Sequence, residues 1–361
     1  MRALYRQRLQ ALRELLARQR VEALLVTHLP NIFYLCGFTG SSGALLVEPD
    51  RATLITDPRY STQACDEVHV ARVRVAAQGL LTAVAGLLAG RRRRLKLAFE
   101  AAHVPVSQRD ELVRRLGRQV HLRGVAGWVE ALRARKDAEE LERMRASAAL
   151  ACQVWTEVLP LVRPGVRELE LAAEIEYRMR RAGASGPAFD TIVASGARAA
   201  LPHGRATAKQ LQKNELVVFD WGAILRGYCS DLTRTVFLGR APARIRKWYD
   251  VVRAAQQAAW AMLRPGVAAE AVDAAARSVL QRHGLARYFT HSTGHGLGIE
   301  VHEEPRLARR QKTRLEAGHV VTIEPGIYLP GMGGIRIEDD LAVTPVGATP
   351  LTHVPRELLE L

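Results

Sequence analysis

A chain of 361 residues is long for one hydrophobic core and suited to two, since single domains usually run about 100 to 200 residues. A hydrophobic share of 48 % excludes wholesale disorder, and 28 Gly with 16 Pro exclude collagen-like or low-complexity sequence. The balance of 52 basic against 37 acidic residues leaves +15, a charge that invites a nucleic-acid reading.

The kind of base argues otherwise. Only six of the 52 basic residues are Lys, and the arginines are scattered through every segment, which compositional bias explains without a nucleic-acid partner. The one dense run, Arg91 to Arg94, reads as a solvated turn. Cys36, Cys65, Cys152 and Cys229 have no zinc-ribbon spacing and do not demand disulfides, so a reducing compartment is expected. Charged residues from Arg2 to Glu14 and the lack of 18 consecutive apolar residues argue against secretion and membrane spanning. A cytoplasmic protein with no membrane partner is the expectation.

In chain order, residues 4–19 read as an amphipathic helix and 23–26 as a strand. Turn material at 37–43 precedes a hairpin of 44–47 with 52–55. A helix near 80–88, a strand near 95–99 and a helix near 107–116 follow. These elements make an α/β N-terminal domain, residues 1–130, whose Gly-rich piece lacks either nucleotide-binding fingerprint. From Lys136 a charged helix opens a second domain, residues 131–361.

That domain contains an internal repeat. Arg163, Pro164 and Gly165 recur as Arg264, Pro265 and Gly266, 101 positions later, each between two helices. The second helices stop at Gly183 and Gly284, again 101 apart. Such a duplication predicts an α+β domain of two similar halves related by a pseudo-two-fold axis.

Each half then continues into an apolar run that ends on a carboxylate. The first runs from Leu216 through Asp220, turns, and returns through Tyr228 and Asp231. The second runs from Val320 through Glu324, turns at Pro330–Gly334, and returns through Arg336 and Glu338. Read as hairpins, they set Asp220 across from Asp231, centred between Leu225 and Arg226, and Glu324 across from Glu338, centred on Gly331. Four carboxylates gathered in an apolar sheet repel one another unless cations compensate them. The segment His291 to Gly298, followed by His302, offers one nitrogen ligand plus proton-handling groups. Oxygen-rich ligands with one nitrogen favour Mn²⁺, Co²⁺ or Fe²⁺, with Zn²⁺ also allowed. Two ions about 3.5 to 4 Å apart can share a hydroxide aimed at a carbonyl carbon.

From residue 135 to the end, these motifs resemble the catalytic domain of the pita-bread metallopeptidases that act on Xaa-Pro bonds, the prolidases and aminopeptidase P. Residues 1 to about 130 are similar to their creatinase-type N-terminal domain. The resemblance implies two divalent ions, Mn²⁺ first among the candidates, held by Asp220, Asp231, His295, Glu324 and Glu338, with Asp231 and Glu338 bridging. It implies that a hydroxide between the metals attacks the carbonyl preceding proline, that Glu324 shuttles the proton, and that His302 receives developing negative charge. His203 would contact substrate near the scissile bond, and His291 would support the substrate side of the cleft. The segment His302 to Arg306 resembles the prolidase stretch whose arginine binds a dipeptide carboxylate, which favours an Xaa-Pro dipeptidase. Release of the N-terminal residue from longer peptides, as in aminopeptidase P, is the alternative, and a non-catalytic, chaperone-like relative is the alternative of another class. Proline-containing dipeptides or short peptides are the expected ligands, and a homodimer or higher homo-oligomer the implied assembly. Asp190, Trp221, Tyr228 and Thr233 are further residues of the cleft or its support, and Arg336 is expected to orient carboxylates.

Overall fold

The computed structural model describes residues 2–89 and 94–361. Of the arginine run expected as a solvated turn, Arg91, Arg92 and Arg93 lie outside them, and Arg94 is exposed. The chain forms two compact units, Met1–Arg133 and Ala134–Leu361.

In the first unit, helix Arg2–Arg18 buries Leu9, Leu12 and Leu16 at helical spacing and leaves its arginine-rich side mostly to solvent. A six-stranded mixed sheet runs in the order Arg72–Val75, Ala52–Thr56, Gly43–Val47, Ala23–Val26, Leu95–Glu100, Val120–Val125. Ala23–Val26 is wholly buried, and it pairs antiparallel to Gly43–Val47 and parallel to Leu95–Glu100. Continuous apolar runs at these positions are what a sheet covered on both faces requires. Helix Leu29–Cys36, absent from the sequence reading, starts with a proline in its first turn and stops at Gly37 with φ 83°.

The second unit shows the duplication in its hydrogen bonds. Helices Ala138–Val158 and Glu168–Arg181 form one pair, and Ala243–Ala261 and Ala269–Arg282 the other. At the repeated turn, Gly165 N–H donates to Leu211 O and Leu211 N–H returns to Val166 O. In the second copy Gly266 N–H donates to Leu315 O and Leu315 N–H returns to Val267 O. Gly165, Gly183, Gly266 and Gly284 all have positive φ, the conformation that stops a helix or turns the chain at low steric cost.

Each helix pair backs a sheet. The first holds Ile192–Ser195, Leu216–Trp221, Leu232–Phe237 and Leu359–Glu360, and the second is five-stranded around Val320–Ile323 and Asp339–Thr344. Two apolar clusters fill the space between helices and sheets, one around Trp155, Phe219 and Trp221, the other around Tyr249, Val252 and Ile323.

The first hairpin differs from its expected register. Asp220 pairs with Thr233 and Trp221 with Leu232, so the turn centres between Arg226 and Gly227, one residue later than expected. Arg226 at φ 52° and Gly227 at φ 81° form a two-residue turn with both residues left-handed, the geometry whose twist matches paired strands. The second hairpin keeps the expected centre on Gly331, with Gly326 facing Arg336 and Ile323 facing Asp339. Among the described residues no helix is long and apolar enough to cross a membrane.

Candidate metal centre

All five expected ligands lie at or beside strand ends. Asp220 is the penultimate residue of Leu216–Trp221, Asp231 immediately precedes Leu232–Phe237, and His295 is the middle of Gly294–Gly296. Glu324 follows Val320–Ile323 and Glu338 precedes Asp339–Thr344. The two glutamates interrupt their own ladder. Glu324 N–H donates to Thr293 O at 2.8 Å, just before strand Gly294–Gly296, and Glu338 N–H to Thr233 O at 3.2 Å, within strand Leu232–Phe237. Gly294 is required beside His295, because a Cβ there would run into the Thr322 carbonyl.

One ligand atom from each of Asp231, His295 and Glu338 lies within 4.8 Å of the others, and all three residues are buried. His295 Nε2 stands 3.6 Å from Asp231 Oδ2 and 3.5 Å from Glu324 Oε1. The Gly296 carbonyl, 3.0 Å from His295 Nδ1, can only accept, which puts the proton on Nδ1 and aims the Nε2 lone pair at the carboxylates.

Asp220 and Glu338 are held from behind. Arg336 Nη2 donates to Asp220 Oδ2 at 2.5 Å, its Nε to Thr233 Oγ1, and its Nη1 to Tyr328 Oη and the Pro202 carbonyl. Thr233 Oγ1 in turn donates to Glu338 Oε2 at 2.5 Å. Tyr328 Oη lies 2.8 Å from His291 Nε2, while His291 Nδ1 faces the Ser292 carbonyl at the same distance, so both nitrogens of that ring are engaged. The other oxygen of Asp220 is buried without a hydrogen-bond partner.

Electrostatics describe a site with more buried carboxylates than the one guanidinium of Arg336 compensates. Burial, then Glu338 and Asp220, push Asp231 well above the usual carboxylate range. Burial, then Glu324 and Asp220, do the same to Glu338 against the opposition of Arg336 and Thr233. Glu324 rises to about 7, mainly by burial and with Arg336 opposing. Burial and the neighbouring His302 lower His295 to about 4, and burial with Arg336 lowers His291 to about 3. Neutral imidazole beside carboxylates that resist ionisation is a poor ion-pair network and a good set of metal ligands. The orphaned oxygen of Asp220 and the mixed oxygen and nitrogen donors fit divalent cations.

His302 packs its ring edge-on against His295 at 4.4 Å between centroids. The residue is exposed, yet partial desolvation of its ring against the site, followed by His203 and Arg306, lowers its basicity. His203 and Arg306 are exposed, and each still acts on the buried site, His203 on His291 and Arg306 on His295 and Glu324. Asp190 is exposed and paired with Arg205 at 2.7 Å. Trp221 belongs to the core, stacked on Trp155, and its Nε1 donates to Ala151 O. Tyr228 donates to Glu140 Oε1 and so ties the first hairpin to the opening helix of the unit.

Three contributors escaped the sequence reading. Tyr328 joins His291 to Arg336, Thr322 Oγ1 accepts from His295 N–H, and Asp340 Oδ2 accepts from Asp231 N–H.

The comparisons with known proteins agree with this chemistry. Residues 142–345 match the model of metallopeptidase family M24, and residues 8–135 match the creatinase/prolidase N-terminal domain. An Xaa-Pro dipeptidase of Pyrococcus horikoshii is 34 % identical over 96 % of this chain and 97 % of its own. The structure of an Xaa-Pro dipeptidase from Bacillus anthracis covers 99 % of this chain and 100 % of its own at 36 % identity, with a TM-score of 0.94. An X-Pro aminopeptidase from Thermotoga maritima, 34 % identical, covers 96 % of this chain and 98 % of its own with a TM-score of 0.90. A buried carboxylate and histidine centre on a duplicated scaffold, with a family match spanning it, leads to one conclusion: the chain belongs to metallopeptidase family M24 and is a metal-dependent peptidase.

Proposed function

We propose that this protein hydrolyses the bond preceding proline in Xaa-Pro dipeptides, with Asp220, Asp231, His295, Glu324 and Glu338 holding two divalent ions and Mn²⁺ the first candidate. The observation that carries the reading is the convergence of Asp231, His295 and Glu338 ligand atoms within 4.8 Å, with the dipeptidase relatives supporting the substrate class. When bound, the ions supply Lewis acidity and lower the pKa of the attacking water.

The residues of the chain then divide the work. Glu324 takes the water proton and delivers it to the prolyl nitrogen, which cannot leave as an amide anion. His302 and His203, on the exposed side of the ligands, meet the substrate around its scissile carbonyl. His291, with both nitrogens engaged, supports that side of the cleft from within. Arg306 offers a planar guanidinium to the carboxylate of a dipeptide. A division into a creatinase-like N-terminal domain, residues 1–130, and a catalytic domain, residues 131–361, a homodimeric assembly and a cytoplasmic location complete the reading.

Cleavage of Ala-Pro, Ala-Pro-Ala and a longer Xaa-Pro peptide after Mn²⁺ reconstitution tests the substrate. Rapid turnover of Ala-Pro alone is the expected result. Rapid turnover of the longer peptides beside a weak dipeptide rate sinks the dipeptidase assignment in favour of the aminopeptidase, the activity named for the Thermotoga maritima relative. Replacing Glu338 with alanine should lower metal content and abolish activity, and two retained ions with normal turnover would refute its bridging role.

A further inference from the structure

Glu168 is completely buried at the start of helix Glu168–Arg181, well away in sequence from every metal ligand. Its carboxylate accepts five hydrogen bonds. Oε1 takes Ser195 N–H and Ser195 Oγ–H, both at 2.8 Å. Oε2 takes Thr207 N–H at 3.0 Å, Thr207 Oγ1–H at 2.7 Å and Arg198 Nε at 3.2 Å. Ser195 and Thr207 are the two ends of one loop, residues 196–206, and His203 stands on it. A single side chain therefore closes the neck of the loop. Arg198 reinforces the closure, since its Nη2 crosses to the Arg205 carbonyl at 2.6 Å.

The internal repeat separates this bracket from the requirements of the fold. Glu168 N–H donates to Lys209 O and Leu169 N–H to Thr207 O; 101 residues on, Ala269 N–H donates to Thr313 O and Glu270 N–H to Gln311 O. The same backbone arrangement thus forms in the second half with alanine in place of Glu168. Burying a carboxylate is costly unless its acceptors are filled, and here every acceptor bond comes from the loop or from the two residues that flank it. The far end of the same loop reaches the metal site, where the Pro202 carbonyl, next to His203, accepts from Arg336 Nη1 at 3.0 Å.

We propose that Glu168 is a positioning residue for substrate, fixing the 196–206 loop at its neck so that His203 is held at the cleft while Arg336 holds the loop near its tip. The inference rests on the reading of His203 as a substrate contact. Glu168 itself touches neither substrate nor ligands. Its loss frees one end of the loop while Asp220, Asp231, His295, Glu324 and Glu338 keep their own supports.

The test uses the full metal-loaded chain and the variants E168Q, H203A and the double variant, assayed on an Xaa-Pro peptide that the wild type cleaves. In E168Q an amide nitrogen must face N–H donors at one end of the neck, so hydrogen exchange at 196–206 should rise about tenfold or more, with exchange around the ligand strands unchanged. Metal content should stay at the wild-type value and kcat/KM should fall about tenfold, with no further fall when E168Q is added to H203A. An unchanged loop beside an impaired H203A variant overturns the bracket alone, and multiplicative losses in the double variant overturn the route through His203. A neutral H203A variant beside an opened loop overturns the reading of His203 and, with it, the substrate half of the proposal. Should E168Q fail to fold, T207V removes the Thr207 hydroxyl bond while leaving the carboxylate in place, and the same exchange and kinetic comparison then decides.

Discussion

Arg336 is the residue on which most of the site turns, and it is not a ligand. Its side chain makes four hydrogen bonds, to Asp220, Thr233, Tyr328 and the Pro202 carbonyl. Only a planar group with donors on three nitrogens meets those partners at once, and a lysine ammonium on a flexible stem does not. R336K therefore keeps the charge and loses the geometry. Metal affinity in this variant should fall about 10- to 100-fold, the range found when outer partners of metal ligands are removed. Titration of the apo variant with Mn²⁺, read as bound metal per chain, checks this, and wild-type affinity would show that Asp220 needs no orienting partner. Alternation along the strands made Arg336 visible in the sequence, one position before Glu338 in the two-residue period. The same period reaches Thr322 and Tyr328 from Glu324 and Asp340 from Glu338, a parity signal that the sequence reading passed over. What parity could not supply was the partner of each, because Tyr328 meets His291 across a sequence separation of 37 residues.

At the scale of elements, the repeated Arg-Pro-Gly turn and the two acid-bearing hairpins were readable because each has a local signature. The first register was missed by one residue at the turn because midpoint counting assumed the acids face one another. A two-residue left-handed turn at Arg226 and Gly227 instead sets Asp220 against Thr233. Asp231 reaches the site from just outside the strand, and its N–H is held by Asp340 at 3.0 Å. Helix Leu29–Cys36 escaped because a mostly apolar run of eight residues is too short for periodicity to tell a helix from a buried strand. The short strand Gly294–Gly296 carries a prediction of its own. Its three residues bring His295 between two neighbouring strands, with Gly296 facing Val321 on one side and Glu303 on the other. G294A forces the Thr322 carbonyl away and with it Thr322 Oγ1, the acceptor of His295 N–H. The variant should remain folded by circular dichroism and lose bound metal together with activity. Full metal content in G294A would show that the strand tolerates the shift.

At the scale of the whole molecule, the charge that first suggested nucleic acid is unevenly shared. Residues 1–133 hold 21 basic and 11 acidic residues, a net +10, and residues 134–361 hold 31 and 26, a net +5. The smaller balance of the second unit includes the acids of the metal centre, so its stability and its metal affinity must respond to pH together. Glu324 has its pKa raised to about 7 from an ordinary 4.5, and Asp231 and Glu338 are raised as well. The folded metal-free chain therefore holds more protons than the unfolded chain as pH rises from about 4.5, and stability falls through about 7. His291, His295 and His319 act in the opposite sense, being lowered from 6.5 to about 3, about 4 and about 4, so their contribution rises with pH and is complete only about one unit above 6.5. Above that value the carboxylates of the centre act without this opposition. Raising pH from about 7.5 to 9, where Asp231 and Glu338 are the groups still holding protons in the fold, should thus destabilise the metal-free second unit while it strengthens metal binding, since ligands shed their protons to the solvent as the cation enters. Hydrogen exchange resolved by segment reads both effects. Without metal, exchange around 220–231 and 324–340 should quicken across that pH interval, whereas exchange around 23–26 and 95–100, strands of the first unit, should keep only its intrinsic pH dependence. Adding Mn²⁺ should reverse the first change and leave the second untouched. If the ligand strands lose no protection as pH rises, the carboxylates are not the destabilising charges, and the case for cations compensating them falls with that result.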